Sequence, residues 1–157
     1  MAYGSVKVDS IVTSTKTVTV DNLLASSAIG TSVQGYDADT AKTDVAQSFT
    51  SAQRGSITAL TDGATITADF ALANNFSVTL GGNRTLANPS NLTAGQSGCI
   101  WITQDGTGSR TLAYGSQWDF TGGTAPTLTT TAAAVDCLVY AVQSSTKITA
   151  TLVTNLS

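Results

Sequence analysis

Hydrophobic and polar residues alternate along much of the chain, and this period of two predicts β-strands with one buried face. Between 76 and 80, three apolar residues alternate with serine and threonine. Gly81-Gly-Asn83 ends this strand, because these residues tolerate the positive φ of a tight turn. The segment Arg84-Thr-Leu-Ala87 follows and recurs as Arg110-Thr-Leu-Ala113, again after a strand and a glycine turn. The pattern therefore predicts antiparallel strands joined by hairpins.

Similar strand patterns occur at short spacing throughout the C-terminal two thirds of the chain. We expect an all-β domain over 56–157, with further strands at 57–60, 65–70, 99–104, 118–120, 135–142 and 147–153. The strand at 135–142 is the most hydrophobic and is predicted to be central. In the last strand, Ile148, Ala150 and Leu152 are expected to point inward. Short strands joined by glycine turns indicate a jelly-roll-like antiparallel β-sandwich.

The N-terminal residues 1–24 contain two short alternating patterns. Val6 and Val8 lie in the first pattern, Val18 and Val20 in the second, and Ser14-Thr15 is the expected bend between them. A hairpin of this length is marginal in water and needs a surface to pair with or to lie on. We therefore predict an extended anchor hairpin that contacts a partner.

Residues 25–55 are predicted to form a linker and one short helix. The first ten of them are small and polar without a period, as in linkers. Asp44 can cap the helix, Gln47 completes a capping box, and Gly55 supplies the exit. The apolar stripe is narrow and suits docking on a neighbouring subunit or on the β-domain. It consists of Val45, Phe49 and either Ala52 or Gln53.

Charge is scarce in this chain, and its distribution restricts the partners. Only 11% of the residues are charged, against the usual quarter, and the net charge is −3. The seven basic residues are scattered, which argues against a nucleic-acid-binding surface. No apolar run approaches the roughly 20 residues that span a bilayer, and the N-terminus lacks the apolar core of a signal peptide. We expect synthesis in the cytoplasm, and neither nucleic acid nor membrane as a partner.

The residue types that carry most enzyme chemistry are missing. The chain has no histidine, and all ten of its acidic residues are aspartates. This removes the commonest general base and the commonest metal ligand. Asp37 and Asp39 are the closest pair of carboxylates, but alternation along a loop indicates a solvated turn rather than a glycosidase site. Asp105-Gly-Thr-Gly108 lacks the lysine of a P-loop and the repeated acids of an EF-hand, so a turn is expected. We predict no enzyme activity, no metal and no cofactor.

Five other side chains have more than one interpretation. Cys99 and Cys137 are either reduced core thiols or a bridge, and the bridge requires neighbouring strands. Trp118 lies near a loop and is a candidate glycan contact, although aromatic residues in β-sandwiches are mostly core. Arg84 and Arg110 occupy matching repeat positions. An internal ion pair with an aspartate, or a subunit contact, is favoured for them over ligand binding.

Several segments resemble proteins of tailed bacteriophage particles. The segments 35–40, 45–55 and 57–66 resemble the part that leads into a distal β-domain in phage fibre and appendage proteins. Three further segments resemble that β-domain itself: Leu80-Gly-Gly-Asn-Arg-Thr-Leu-Ala-Asn-Pro89, 104–116 and 123–128. The start, Met1-Ala-Tyr-Gly-Ser-Val-Lys-Val-Asp9, is similar to virion proteins of marine cyanobacterial phages.

The resemblance implies a homotrimer on the virion surface without enzymatic activity. Tail fibres with this domain usually have long shafts, whereas here only a short linker and one helix precede the β-domain. We therefore favour a capsid decoration protein or short head fibre that binds the major capsid protein. The alternative is a tail fibre or other appendage that binds tail proteins and host-surface glycans. Capsid contacts are expected at Val6, Val8, Ile11, Val18, Val20, Leu23 and Leu24, and trimer contacts at Val45, Phe49, Ala52 and Arg54.

Overall fold

The structure, a computed structural model, describes residues 10–13, 16–19 and 52–156. The contacts divide the chain into two compact units, residues 1–52 and residues 53–157.

The described part of the first unit is one two-stranded antiparallel sheet. It consists of β1 (Ser10–Thr13) and β2 (Lys16–Thr19). Ile11 lies opposite Val18, and Thr13 lies opposite Lys16. The predicted bend, Ser14-Thr15, lies outside the described residues.

The second unit is all-β, as predicted. Its strands are β3 (Ile57–Ala59), β4 (Thr65–Ile66), β5 (Asn75–Leu80), β6 (Arg84–Leu86), β7 (Ser97–Gln104), β8 (Leu112–Tyr114), β9 (Trp118–Phe120), β10 (Val135–Ser144) and β11 (Lys147–Val153). A short 3-10 turn, Thr121–Gly123, follows β9. Strands therefore lie close to most of the positions at which hydrophobic residues alternate.

These strands form two sheets that are linked by the course of the chain. One sheet has the order β3-β5-β7-β10-β11-β9, and the other has the order β4-β6-β8. Strands β3, β5 and β7 are parallel, and so are β4, β6 and β8. The chain thus makes three stacked turns, each with one strand in either sheet. We call these turns rungs 1 (57–74), 2 (75–96) and 3 (97–116). The antiparallel hairpin β10–β11 then pairs with β7 of rung 3.

The predicted antiparallel pairing within each repeat is wrong, and the strand order does not confirm a jelly roll. The glycine turn at 81–83 is a corner between the two sheets, so β5 and β6 do not pair with each other. Strand β5 pairs in parallel with β7, and β6 pairs in parallel with β8. Strands of successive rungs pair in this way because their apolar faces must turn towards the same core. Arg84 lies opposite Leu112, so the two copies of the Arg-Thr-Leu-Ala segment are offset by two residues. An even offset keeps every side chain on its face of the sheet.

The core lies between the two sheets. Phe76, Ile100 and Leu138 come from three neighbouring strands and are fully buried. Burial of such a side chain contributes about 1.5–3 kcal/mol. Strand β10 lies inside the six-stranded sheet, as predicted for its hydrophobic sequence. Ile148 and Ala150 of β11 are buried and Leu152 packs against the core, which confirms their predicted orientation.

The C-terminal end of the predicted helix is not helical. Residues 52–56 have no regular secondary structure, so Gly55 does not serve as a helix exit. Its backbone instead lies near the Asn75 side chain, just before β3 begins. Chain that leads directly into an edge strand is extended, which explains the difference. The predicted cap at Asp44 lies outside the described residues.

Candidate functional site

The predicted anchor contains one described cross-strand pair. Ile11 and Val18 lie directly opposite each other in the β1–β2 hairpin. In the described part of the chain, neither strand pairs with any other strand, so each has one unpaired edge. Such edges can accept a further strand. The other predicted capsid contacts lie outside the described residues: Val6, Val8, Val20, Leu23 and Leu24.

The predicted trimer contacts are described only in part. Ala52 and Arg54 are exposed and belong to no helix, so Ala52 is not part of a helical stripe, and the role of both residues as trimer contacts stays a prediction. Val45 and Phe49 lie outside the described residues.

Trp118 is a core residue, so its prediction as a glycan contact is wrong. Its side chain is 5% exposed, and its Nε1 donates a hydrogen bond to the carbonyl oxygen of Ala87 at 3.0 Å. Its ring packs edge-on against Phe70 and Tyr140. The reason is that β9 pairs with β11 in parallel, with Trp118 opposite the fully buried Ile148.

The outer face of the six-stranded sheet is a surface that the sequence did not single out. One row across five strands contains no charged residue and runs Ala59, Ser77, Trp101, Cys137 and Val153. Trp101 is partly exposed, unlike Trp118. Alternation along β7 places Trp101 on the face opposite to the buried Ile100. The sequence does contain an indication of this surface, because the outward positions of the neighbouring strands are mostly small or hydroxyl-bearing.

An open groove of about 330 Å³ adjoins this face where β3 ends. Its lining combines hydroxyl groups and apolar surface without a charged group: Ala59, Leu60, Ser77, Val78, Thr79 and Thr103. Ser77 of this lining lies directly opposite Trp101 in the neighbouring strand. Hydroxyl groups beside a partly exposed aromatic ring suit a neutral polar ligand.

A second open groove, of about 360 Å³, lies along rung 1 and contains two carboxylates. Asp62 is paired with Arg84. Asp69 accepts hydrogen bonds from the Asn91 side chain at 2.7 Å and from the backbone N–H of Ala71 at 3.0 Å. Hydrogen bonds to Arg84 and to Asn91, respectively, hold the pKa of Asp62 and of Asp69 below the ordinary value. Both groups are therefore ionised acceptors at neutral pH and cannot act as general acids.

Both repeated arginines form internal ion pairs, as predicted. Arg84 binds Asp62, and Arg110 binds Asp105, each with an N–O distance of 2.7 Å. Asp105 also accepts the backbone N–H groups of Thr107 and Gly108, so the loop is a capped turn. The hydrogen bonds that Arg110 donates to Asp105 are the main reason why the pKa of Asp105 is lowered to about 2. This arrangement supports the corner of the fold and leaves no carboxyl proton for catalysis.

The two cysteines are free and lie on neighbouring strands. Cys137 in β10 is buried, and Cys99 in β7 is partly buried. The structure thus contains two reduced thiols, while the neighbouring strands meet the condition set above for a bridge.

Neither a metal centre nor a membrane span is found in the described ranges. In residues 10–13, 16–19 and 52–156, no three histidine, cysteine or acidic side chains come together as ligands would. No helix in those ranges is long and apolar enough to span a bilayer. No protein-family model matches the sequence, and neither a curated protein nor a solved structure is significantly similar to it. The function therefore has to be argued from the chain itself.

Proposed function

We propose that this chain is a phage virion structural protein, a homotrimeric capsid decoration protein or short head fibre on the virion surface. It attaches to the major capsid protein by its N-terminal segment and projects its β-domain. The observation that carries this proposal is the β1–β2 hairpin, a two-stranded sheet with an unpaired edge on each strand in the described part of the chain. A hairpin this small gains stability when a larger surface supplies further strands or apolar contact.

The second unit supports a role in shape and attachment. Three rungs stack with their strands in parallel, and ion pairs hold two of the corners. Asp136, which is 2% exposed, accepts the backbone N–H groups of Thr129 and Asn155. This buried carboxylate therefore fixes two loops beside β10. Rigid loops and sheets suit a projecting domain.

The trimer contacts belong to this proposal. Arg54 and Ala52 are exposed just before β3 and are available to a neighbouring subunit. Val45 and Phe49 are proposed to contribute from the preceding segment. Three linked anchors bind a symmetric shell with greater avidity than one, without tighter individual contacts.

Deletion of residues 1–30 tests the attachment. We expect the truncated protein to keep the cooperative melting of the β-domain and to lose co-sedimentation with empty capsids. Ile11→Asp should weaken binding because it places a charge in the proposed contact. Val12→Asp is the matched control, since alternation puts residue 12 on the other face of the hairpin. A folded, truncated protein that still binds capsids would refute the proposal.

The second candidate function is a host-recognition appendage of the tail that binds glycans. The hydroxyl-lined groove at Ser77 and the partly exposed Trp101 on the paired strand favour it, because aromatic rings stack on sugars and hydroxyl groups bind them. Trp101→Ala should abolish binding to a glycan array, whereas Trp101→Phe should keep part of it. Labelled antibody on intact particles separates the two functions, because labelling of the tail excludes capsid decoration.

A further inference from the structure

Cys99 and Cys137 are diagonal neighbours on the outer face of the six-stranded sheet. In the antiparallel pair β7–β10, Cys99 lies opposite Val139, and Cys137 lies opposite Trp101. The two cysteines are therefore offset by two residues and share one face. Diagonal neighbours are about 7–8 Å apart between Cα atoms in a flat sheet, just beyond the roughly 4.4–6.8 Å that a disulfide spans, so a bridge here depends on the sheet twist to shorten this diagonal. Sheet twist shortens one of the two diagonals.

The surroundings of the two thiols differ, and the difference gives them separate roles. Cys99 is partly exposed, and its Sγ donates a hydrogen bond to Oδ1 of Asn75 at 3.4 Å. Cys137 is only 6% exposed. Burial, followed by the charge and hydrogen bond of the adjacent Cys99 thiol, raises the pKa of Cys137 to about 11. A reagent from solvent reaches Cys99 first.

We propose that Cys99 is a site of thiol–disulfide exchange and that Cys137 is its resolving thiol. The Cys99 thiolate attacks one sulfur of a low-molecular-weight disulfide, whose S–S bond breaks and releases one thiolate, which takes up a proton. Cys99 then carries a mixed disulfide. Cys137 loses its proton and attacks the Cys99 sulfur, and the second small thiolate leaves and is protonated. The two protein thiols are oxidised to one cross-strand disulfide, and the small disulfide is reduced to two thiols.

The disulfide would tie rung 3 to the hairpin that follows it. Strand β7 belongs to rung 3, while β10 begins the β10–β11 hairpin. The bond would close a loop that includes β8, β9 and the segment leading to β10. Closing such a loop restricts the unfolded chain and so stabilises the folded one. This chemistry requires no other chain and is independent of the virion role proposed above.

Oxidised glutathione added to the reduced full-length protein tests the proposal. We expect an intact mass lower by two hydrogens, no retained glutathione, and a peptide map that joins Cys99 to Cys137. The melting temperature should rise by roughly 10 °C and return on addition of a reductant. A retained glutathione adduct on the wild type, a bond between two chains, or unchanged thiols would each overturn the proposal.

Two single variants assign the order of attack. Cys137→Ser should accumulate a stable glutathione adduct at Cys99, because no resolving thiol remains. Cys99→Ser should stay unmodified while it is folded, since Cys137 is buried, and should react only in denaturant. Melting curves of both variants establish that they are folded under the conditions of the reaction. An adduct on Cys137 in folded Cys99→Ser protein would contradict the assigned order.

Discussion

The guanidinium of Arg84 donates two hydrogen bonds to the carboxylate of Asp62, from Nε to Oδ1 at 2.8 Å and from Nη2 to Oδ2 at 2.7 Å. Asp62 lies in the corner of rung 1, and Arg84 begins the strand β6 of rung 2. The pair therefore joins two successive corners with the bidentate geometry that is specific to arginine. A second link continues the stack, since Oδ1 of Asn83 accepts the backbone N–H of Thr111 in rung 3.

A double-mutant cycle tests whether this pair holds the corners together. Arg84→Ala and Asp62→Ala should each lower the melting temperature, and the double variant should lose less than the sum, because each single change leaves a partner without its hydrogen bonds. The control cycle uses Lys147 and Asp119, which are 3.3 Å apart and more exposed. We expect little coupling there. Additive losses at Arg84 and Asp62 would show that the pair is not a structural link.

Acid should destabilise the fold through Asp105. Its pKa of about 2 in the folded chain lies below the ordinary 3.8, so the unfolded chain binds the proton more readily. The stabilisation is complete above the ordinary value and is lost as pH falls towards about 2. Melting temperatures measured across this range should fall less steeply for Asp105→Asn than for the wild type. Arg110→Ala removes the main cause of the shift and should flatten the curve similarly. An unchanged slope in both variants would contradict this assignment.

Glycine is required at position 98 for a close approach between strands. A Cβ at this position would overlap the backbone carbonyl of Asn74 and would meet the Tyr140 hydroxyl at 3.0 Å. That hydroxyl donates to the same Asn74 carbonyl at 2.7 Å. Gly98→Ala should therefore lower the free energy of unfolding by about 3 kcal/mol. Gly106→Ala is the matched control, because a Cβ there has nothing within 4 Å. Denaturant unfolding that shows equal stability for both variants would contradict the close approach.

Phe70 is the centre of the aromatic cluster in the core. Its ring lies 4.6 Å from that of Tyr140 and 5.6 Å from that of Phe76. Phe70→Ala should destabilise the fold by about 3–5 kcal/mol, because it leaves a cavity between the sheets. Leu72→Ala, only two positions later but 67% exposed, should stay within about 0.5 kcal/mol of the wild type. Chemical denaturation of the two variants measures both effects. Similar losses would mean that Leu72 is covered in solution.

Local pattern predicted the positions of strands better than it predicted the functional side chains. Val135–Ser144 is interior to its sheet, as its hydrophobicity indicated. The ion pairs of Arg84 and Arg110 were also expected from their repeated positions. Trp118 was a candidate glycan contact because of the loop beside it, with a core position as the alternative, and it is buried against rungs 1 and 2. Its environment is built by residues distant in the sequence, which the local pattern does not contain.

Alternation along the chain was enough to predict that the C-terminal unit is all-β, where most of its strands lie, and which side chains along β5 and β11 face inward. It could do so because alternation with a period of two is a local property of each strand. The folded structure was needed to show that successive repeats stack in parallel, that Trp101 rather than Trp118 is partly exposed, and that the two cysteines are diagonal neighbours. A strand's own residues specify its faces, but hydrogen-bonded neighbours are chosen by how the whole chain closes around one core.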